Sequence, residues 1–314
     1  MSSKLPHPIP YQGSMSSKLP HPIPYQGSKR NLSSLIGEHV PRNVDTWFEP
    51  FAGSAAMTIW AAHHRVAKRY VIADVLPAMA DLLSAIINAP LDTAARYRDV
   101  WERQTDQDQN YFYFVRERYN THKDPVDLLY LICRCVKNAV RFGGNGRFTQ
   151  SVDKRRLGMQ PHKMHAAICG ASAILKGKAE VRIGDWLETT FDATVSDFVY
   201  MDPPYLGTTI GRDKRYAEQL QSDKLIYGLQ ALLDRGVPFA LSYDGMTGEK
   251  VYGPPLPESL RLTRLLLHAG LSSQATLAGR AEETIESLYL SPGTGVARDG
   301  IIRRQKWTQE RLAI

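Results

Sequence analysis

Residues 197–201 form an apolar run that two prolines, Pro203 and Pro204, follow almost directly. The run predicts a buried strand, and the prolines end it and stiffen the next residues, because proline fixes φ and donates no backbone hydrogen bond. Open α/β sheets bind their ligands where parallel strands end. The pattern therefore predicts a rigid loop, residues 202–205, at the carboxyl end of a strand in an α/β sheet.

This loop carries three groups that suit one chemical task. Asp202 offers a carboxylate, Pro203 a backbone carbonyl, and Tyr205 an aromatic ring. Two acceptors can hold both hydrogens of an exocyclic amine while the ring stacks on the attached base. A Pro-Pro turn by itself is also typical of a plain strand terminator, so the interpretation depends on other segments.

A second signal precedes the loop in the chain. A strand ending at Phe48 runs into the segment Glu49-Pro50-Phe51-Ala52-Gly53-Ser54-Ala55-Ala56, a helix follows, and a strand at residues 69–73 is closed by Asp74. A tight loop followed about 20 residues later by an acidic strand end is typical of adenosine-ribose binding. The alternative for Asp74 is a helix N-cap. The absence of Gly-x-Gly-x-x-Gly argues against a dinucleotide site.

Between residues 91 and 170 the alternation of strands and helices stops, and aromatic and basic residues become frequent. We expect a mainly helical inserted domain with a basic face and a mobile glycine-rich loop at residues 143–146. The α/β pattern returns with strands at 179–185, 239–243 and 287–290. The catalytic domain is therefore expected at residues 22–90 and 171–314, and the insertion at 91–170.

The first 28 residues are two exact copies of one fourteen-residue segment, each starting with methionine. Structural repeats are usually longer and imperfect. We interpret the duplication as a gene-start artefact and residues 1–21 as a flexible segment.

Charge and cysteine content narrow the class of protein only slightly. The net charge of +7 is compatible with a polyanionic partner. Three cysteines make a disulfide framework improbable, and there is no apolar run of about 18 residues, so a cytoplasmic protein is expected. His162 and His165 are spaced as a helical metal pair but lack a third ligand nearby, so no metal site is predicted.

Taken together, residues 22–291 resemble the Dam-like, alpha-group DNA adenine-N6 methyltransferases. Besides residues 202–205, four segments carry the resemblance in the family's order: the aromatic-x-Gly-x-Lys segment at 24–29, the loop at 48–54, the Tyr-x-x-Arg-x-x-aromatic-Asn stretch at 113–120, and the DNA-binding segment at 128–148.

The resemblance implies a Rossmann-like α/β fold, with a seven-stranded sheet and an inserted helical target-recognition domain, that uses S-adenosylmethionine. It implies catalytic roles for Asp202, Pro203 and Tyr205. Cofactor contacts are implied for Tyr25, Lys29, Glu49, Phe51, Gly53, Asp74, Asp185 and Asp202, and DNA contacts for Arg116, Arg134, Asn138, Arg141 and Arg147. From the residues alone, Asp185 is equally typical of a helix cap, and Lys29 of a solvated basic pair with Arg30.

Two features depart from the family's pattern. Ala55 stands where the family's loop usually has the last glycine of Phe-x-Gly-Ser-Gly, and we expect its methyl group to be tolerated at the start of a helix. The segment from Asn138 to Arg141 is one residue shorter than usual.

The implied partner is double-stranded DNA, with a restriction endonuclease as a possible separate companion, and the chain is expected to be a monomer. Alternatives are methylation of cytosine N4, for which the family motif resembles Ser-Pro-Pro-Tyr, methylation of adenine in RNA, or a catalytically silent DNA-binding protein. Asp202 as the first motif residue favours adenine in DNA.

Overall fold

The computed structural model describes residues 19–104, 109–204, 222–247, 250–252, 255–271 and 283–294. Tyr205 lies outside these ranges, as do residues 1–18 and therefore the first copy of the duplicated segment.

A mixed β-sheet organises the fold. Its strands are β1 (Val44–Glu49), β2 (Ala67–Asp74), β3 (Ala179–Ile183), β4 (Phe198–Met201), β5 (Phe239–Thr247), β6 (Lys250–Tyr252), β7 (Thr263–Leu271) and β8 (Glu283–Leu290). Seven of them follow the order β3-β2-β1-β4-β5-β8-β7, and β6 pairs beside β5. Strands β1 to β5 of this path pair in parallel, whereas β8 is antiparallel to both neighbours. The predicted seven-stranded Rossmann-like sheet is confirmed.

Nine helices are described around the sheet. They are α1 (Ser33–Gly37), α2 (Ala56–His63), α3 (Pro77–Asn88), α4 (Pro90–Glu102), α5 (Gln109–His122), α6 (Pro125–Arg134), α7 (Pro161–Leu175), α8 (Trp186–Thr189) and α9 (Ser222–Asp234). Several begin with proline, which is pre-organised for a first helical turn. In α6 the side chain of Asp124 also accepts from the backbone N–H groups of Val126 and Asp127.

Alternation along the strands divides the apolar residues between the two faces of the sheet. Trp47 and Tyr70 face a core that includes α2, α3, α6 and α7. Their neighbours Phe48 and Val71 face a second core formed with α9. Burial on both faces explains why the central strands are continuously apolar.

The helical insertion shares its core with the first face of the sheet, and α6 is buried on all sides, from Val126 to Arg134. Helix α7 packs against α2, α3 and α4. It therefore crosses the boundary expected at residue 170, just as α4, which begins at Pro90, crosses the one at 91.

Two further differences from the expectations concern local structure. The sequence patterns did not predict strands β6 and β7. Residues 19–21, expected in a flexible segment, pack against the fold: His21 is buried, and Pro20 lies beside Gly170 of α7.

No helix within the described ranges is long and apolar enough to cross a membrane.

Candidate functional site

The carboxyl ends of β1, β2 and β4 bring the predicted site segments to one edge of the sheet. After β1, the loop at residues 50–55 turns back along β2, and the Ala52 N–H donates to the carbonyl of Ala73 over 2.9 Å. Gly53 has φ +49, a left-handed conformation that glycine adopts without strain. A side chain there would lie 3.1 Å from the ring of Tyr25. The glycine therefore lets the tight, buried loop pack against Tyr25 without a side chain between them.

Asp74 fixes this loop from the end of β2. Its Oδ2 accepts from the Gly53 N–H over 2.9 Å, and its Oδ1 accepts from the Leu76 N–H over 2.9 Å. Burial raises the pKa of Asp74 to about 6, against the opposing effect of those two hydrogen bonds. Asp74 is not the N-cap of the following helix, because that position is Leu76 and its own bond to the Leu76 N–H forms a turn before α3. Each of its oxygens keeps a lone pair for a ligand.

Residues 25–29 connect three parts of the molecule. The ring of Tyr25 lies against Gly53, and the hydroxyls of Ser28 and Ser54 are 2.9 Å apart. The Gln26 N–H donates to the carbonyl of Asn138 in the insertion over 3.1 Å. This segment therefore brings together the loop after β1, the insertion and, through Lys29, the loop after β4.

Ala55 is the N-cap of α2 and adopts a left-handed conformation, with φ 53° and ψ 36°. The methyl group is therefore accommodated at a helix start, but on a backbone in the left-handed region. For a residue with a Cβ this conformation costs about 1–2 kcal/mol. Ala55 is fully buried in the core, and that burial offsets part of the cost.

Glu49 ends β1 and is buried against the start of α2. Its Oε2 accepts from the Thr58 N–H over 2.6 Å and from the Thr58 hydroxyl. Burial raises the pKa of Glu49 to about 8, with a smaller contribution from the nearby charge of Asp202. Glu49 is therefore a largely neutral group at pH 7 that positions α2 below the loop.

We expect Glu49→Gln to make unfolding less dependent on pH. Between about pH 4.3, the value for a free glutamate, and pH 8 the folded wild type holds a proton that the unfolded chain has lost. The stability of the wild type therefore falls as pH rises through this window. The stabilising contribution of protonated Glu49 is fully present only below the window. In urea unfolding at pH 5, 6, 7 and 8, the free energy of unfolding of the wild type should fall relative to that of the variant as pH rises. Exposed Glu38→Gln is the control, and equal pH slopes in all three proteins would contradict the assignment.

Asp202 lies immediately beyond β4 and forms a charged cluster with two residues distant in sequence. The Lys29 Nζ is 2.8 Å from Asp202 Oδ1 and 3.3 Å from Oε2 of Glu286 on β8. Lys29 is only 6% exposed, so it is no solvated surface lysine. Burial raises the pKa of Asp202 to about 6, and Lys29 opposes this rise. The cluster keeps an acceptor carboxylate at the end of β4.

Phe51, in the loop after β1, contacts Trp186, the residue that follows Asp185 in the chain. The rings of Phe51 and Trp186 are 5.9 Å apart. Asp185 caps α8 by accepting from the Leu187 N–H over 3.0 Å, and it pairs with Lys224 at 2.8 Å. One oxygen of Asp185 therefore caps α8, and the other pairs with Lys224 of α9.

The insertion presents a basic hairpin, residues 141–149, whose strands meet at the bridge between Phe142 and Phe148. Asn120 of α5 fixes it: its Oδ1 accepts from the Phe148 N–H over 2.7 Å, and its Nδ2 donates to the Phe148 carbonyl over 3.2 Å. Arg147 pairs with Glu117, and Lys123 donates to the Gly146 carbonyl over 2.9 Å. The hairpin is thus held firmly to α5 while Arg141 lies at its base.

The remaining predicted DNA contacts have structural partners. Arg134 is 3% exposed and donates to the carbonyl of Arg156. The amide of Asn138 donates to the Ile132 carbonyl over 2.8 Å and accepts from Arg156 over 3.0 Å. Arg116 stacks over Tyr113 at 4.8 Å. The buried guanidinium of Arg134 is thus bonded to the chain itself.

Sequence reasoning did not select Asn120 or Glu286 as site residues. A signal for Glu286 was present, since it is a single acidic residue in the mainly apolar segment 285–290. Across the part of the chain that is described, no group of three or more His, Cys, Asp or Glu is arranged to hold a metal ion.

Comparisons with known proteins match most of the chain. Residues 25–269 match the family described as D12 class N6 adenine-specific DNA methyltransferase. The chain is 24% identical over 220 residues to the Type II methyltransferase M.FokI of Planomicrobium okeanokoites, covering 68% of this chain and 34% of that protein. It is 25% identical over 213 residues to the modification methylase StsI of Streptococcus sanguinis, covering 64% and 32%. The chain spans about a third of the length of these curated relatives.

Proposed function

Because the chain belongs to the D12 class N6 adenine-specific DNA methyltransferases, we propose that it methylates N6 of adenine at a specific site in double-stranded DNA. The methyl donor is S-adenosylmethionine, which methyltransferases of this family generally use. The order of its segments, with the insertion between the loop after β1 and the loop after β4, favours the Dam-like alpha group within the family.

The loop after β1 fits an adenosine-containing donor. Gly53 lets the loop pack against Tyr25 where a side chain would not fit easily, and the carboxylate of Asp74 would be available to ribose hydroxyls. Phe51 and Asp185 would contact the adenine, and Tyr25, Lys29 and Glu49 would support the same pocket. When bound, the donor supplies a methyl group already activated on a sulfonium, so the chain's residues need only position the acceptor.

The observation that carries the proposal is the carboxylate of Asp202, held by Lys29 at the end of β4. The lone pair of adenine N6 is delocalised into the ring, which makes the amine a poor nucleophile. Asp202 and the carbonyl of Pro203 would accept its two hydrogens and so localise the lone pair, with Tyr205 stacked on the flipped base. The proton lost from N6 would pass to Asp202.

We assign DNA binding to the helical insertion, which we delimit at residues 90–160, before α7 begins. The hairpin at 141–149 would present Arg141 and Arg147 to DNA, and Arg116 would lie beside it. Arg134 and Asn138 would support this surface from within, through their bonds to Arg156 and Ile132. Fixing the hairpin to α5 reduces the entropy lost when it docks.

The partners and the cellular location are inferred from the relatives and from the substrate. The names of the two relatives, a Type II methyltransferase and a modification methylase, favour a modification enzyme that works beside a separate restriction endonuclease. We propose that it acts as a monomer in the cytoplasm, where its DNA substrate lies.

The proposal is tested by incubating the protein and S-adenosylmethionine with unmethylated plasmid DNA. Long-read sequencing should then find N6-methyladenine at one recurring sequence, which also reveals the recognition site. Methylcytosine in place of methyladenine would contradict the adenine assignment. Cofactor binding without any methylated base would favour a silent DNA-binding protein.

Arg141→Ala should weaken DNA binding or relax its sequence preference while affinity for the cofactor stays the same. A lost base contact costs about 1–3 kcal/mol, and a lost phosphate contact lowers the salt dependence of binding for every sequence. Fluorescence anisotropy at several salt concentrations, with cognate and unrelated duplexes, measures both effects. Exposed Lys154→Ala is the matched control outside the hairpin. Wild-type binding of Arg141→Ala at every salt concentration would contradict its assignment.

A further inference from the structure

Lys29 bridges two carboxylates that come from different strands of the sheet. Its Nζ lies 2.8 Å from Asp202 Oδ1, just after β4, and 3.3 Å from Glu286 Oε2, within β8. Glu286 pairs across the sheet with Gly245 of β5, and β5 pairs in parallel with β4. The sheet therefore fixes the separation of the two carboxylates, and Lys29 spans it.

A lysine in this position needs more than one acceptor to stay in place. Its side chain has a flexible four-carbon stem and three N–H donors, so a single ion pair leaves several rotamers open. Lys29 is 6% exposed, and little water reaches its ammonium group. A second acceptor on a rigid strand selects one rotamer and satisfies a second donor.

We propose that Glu286 is a positioning residue for methyl transfer: it holds Lys29 on one oxygen of Asp202, so that the other oxygen stays free for the adenine amine. This inference rests on the function proposed above. Without Glu286, the ammonium would be free to shift across the Asp202 carboxylate and compete with the amine for its lone pairs.

The charged and titratable groups around Asp202 determine how the proposal can be tested. Burial raises the pKa of Asp202 to about 6, Lys29 lowers it by charge and by hydrogen bonding, and Glu286 raises it by a smaller effect. Glu49 of β1 and Tyr200 of β4 are also close enough to interact electrostatically with Asp202. Because the effects of Lys29 and Glu286 oppose each other, two substitutions of Glu286 should move the pKa of Asp202 in opposite directions.

Glu286→Gln keeps an oxygen acceptor for Lys29 and removes only the negative charge. The acidic limb of the pH–rate profile, where Asp202 ionises, should move to lower pH, and the rate at pH 8 should stay within about threefold of wild type. Glu286→Ala removes the acceptor as well. Lys29 then leaves its position, the limb moves to higher pH, and the rate at pH 8 falls by about ten- to a hundredfold, the effect of one charged hydrogen bond.

The experiment measures single-turnover methylation between pH 5 and 9, on a duplex carrying the site found by sequencing. Exposed Glu258→Gln is the control for loss of one negative charge. Acetylation of Lys29 by an amine-selective reagent, followed by peptide mass spectrometry, gives a readout independent of activity. It should increase in Glu286→Ala and remain at the wild-type level in Glu286→Gln.

Three outcomes would overturn the inference: a wild-type rate and profile in Glu286→Ala, a downward shift of the acidic limb in both variants, or unchanged Lys29 acetylation. If Glu286 had a purely structural role, its substitution would lower thermal stability without moving either limb of the pH–rate profile. Failure of the proposed function is recognised separately, because wild type and Glu258→Gln would then transfer no methyl group to adenine, whatever the acetylation of Lys29.

Discussion

Asp202→Ala is expected to slow methyl transfer by at least about a hundred- to a thousandfold, the usual effect of removing one preorganised group that stabilises a transition state. The substitution removes the acceptor that would hold one amine hydrogen. It also leaves Lys29, which is buried, with Glu286 as its remaining carboxylate in the cluster. The single-turnover rate on a duplex carrying the methylated site measures the effect directly.

Binding of duplex DNA should be largely unchanged in this variant, because on the proposed assignment phosphate contacts of the insertion would supply most of that affinity. Asp202→Asn is the matched variant: it keeps one acceptor oxygen and should retain more activity than Asp202→Ala. Anisotropy with the same duplex verifies that the protein remains folded and binds DNA. A fully active Asp202→Ala would exclude the proposed chemistry, whatever the DNA affinity.

Asp74→Ala is expected to weaken binding of S-adenosylmethionine by about a hundredfold or more. Asp74 accepts from the Gly53 and Leu76 N–H groups, so its loss frees the loop after β1. The loss would also remove the acceptor for the ribose hydroxyls. Each hydrogen bond to a charged group contributes about 1.5–3 kcal/mol, and a tenfold change in affinity corresponds to about 1.4 kcal/mol.

Isothermal titration calorimetry with S-adenosylmethionine measures this affinity without depending on catalysis. Asp192→Asn is the control, since Asp192 is a more exposed carboxylate that pairs with Arg182 of β3. Asp74→Asn should fall between wild type and Asp74→Ala, because its amide keeps one acceptor. Normal affinity in Asp74→Ala would remove Asp74 from the cofactor site and leave it only a support for the loop after β1.

The parts of the fold that sequence predicted are those fixed by local chemistry. Strand β4 ends at Met201, just before Asp202 and the two prolines, because proline cannot extend a central strand, and Asp74 is the last residue of the parallel strand β2. Such patterns need no knowledge of distant contacts. They also place Asp202 and Asp74 at the same edge of the sheet.

The parts that sequence missed depend on contacts made over long distances. β7 contains consecutive leucines at 265–267, a composition equally good for a helix, and only its register with β8 makes it a strand. Arg134 lies in a basic segment but closes a helix that is buried on all sides, so it points inward. Lys29 and Glu286 are more than 250 residues apart, and nothing local relates them.

The position of β8 has a consequence for how the protein is made. This strand lies inside the sheet, between β5 and β7, although it is the last strand described along the chain. While the chain is still being synthesised, β7 emerges from the ribosome before the strand that joins it to β5. Lys29, near the start, meanwhile lacks Glu286. We therefore expect the nascent protein to hold an incomplete sheet, and a charged cluster without Glu286, until translation has passed residue 290.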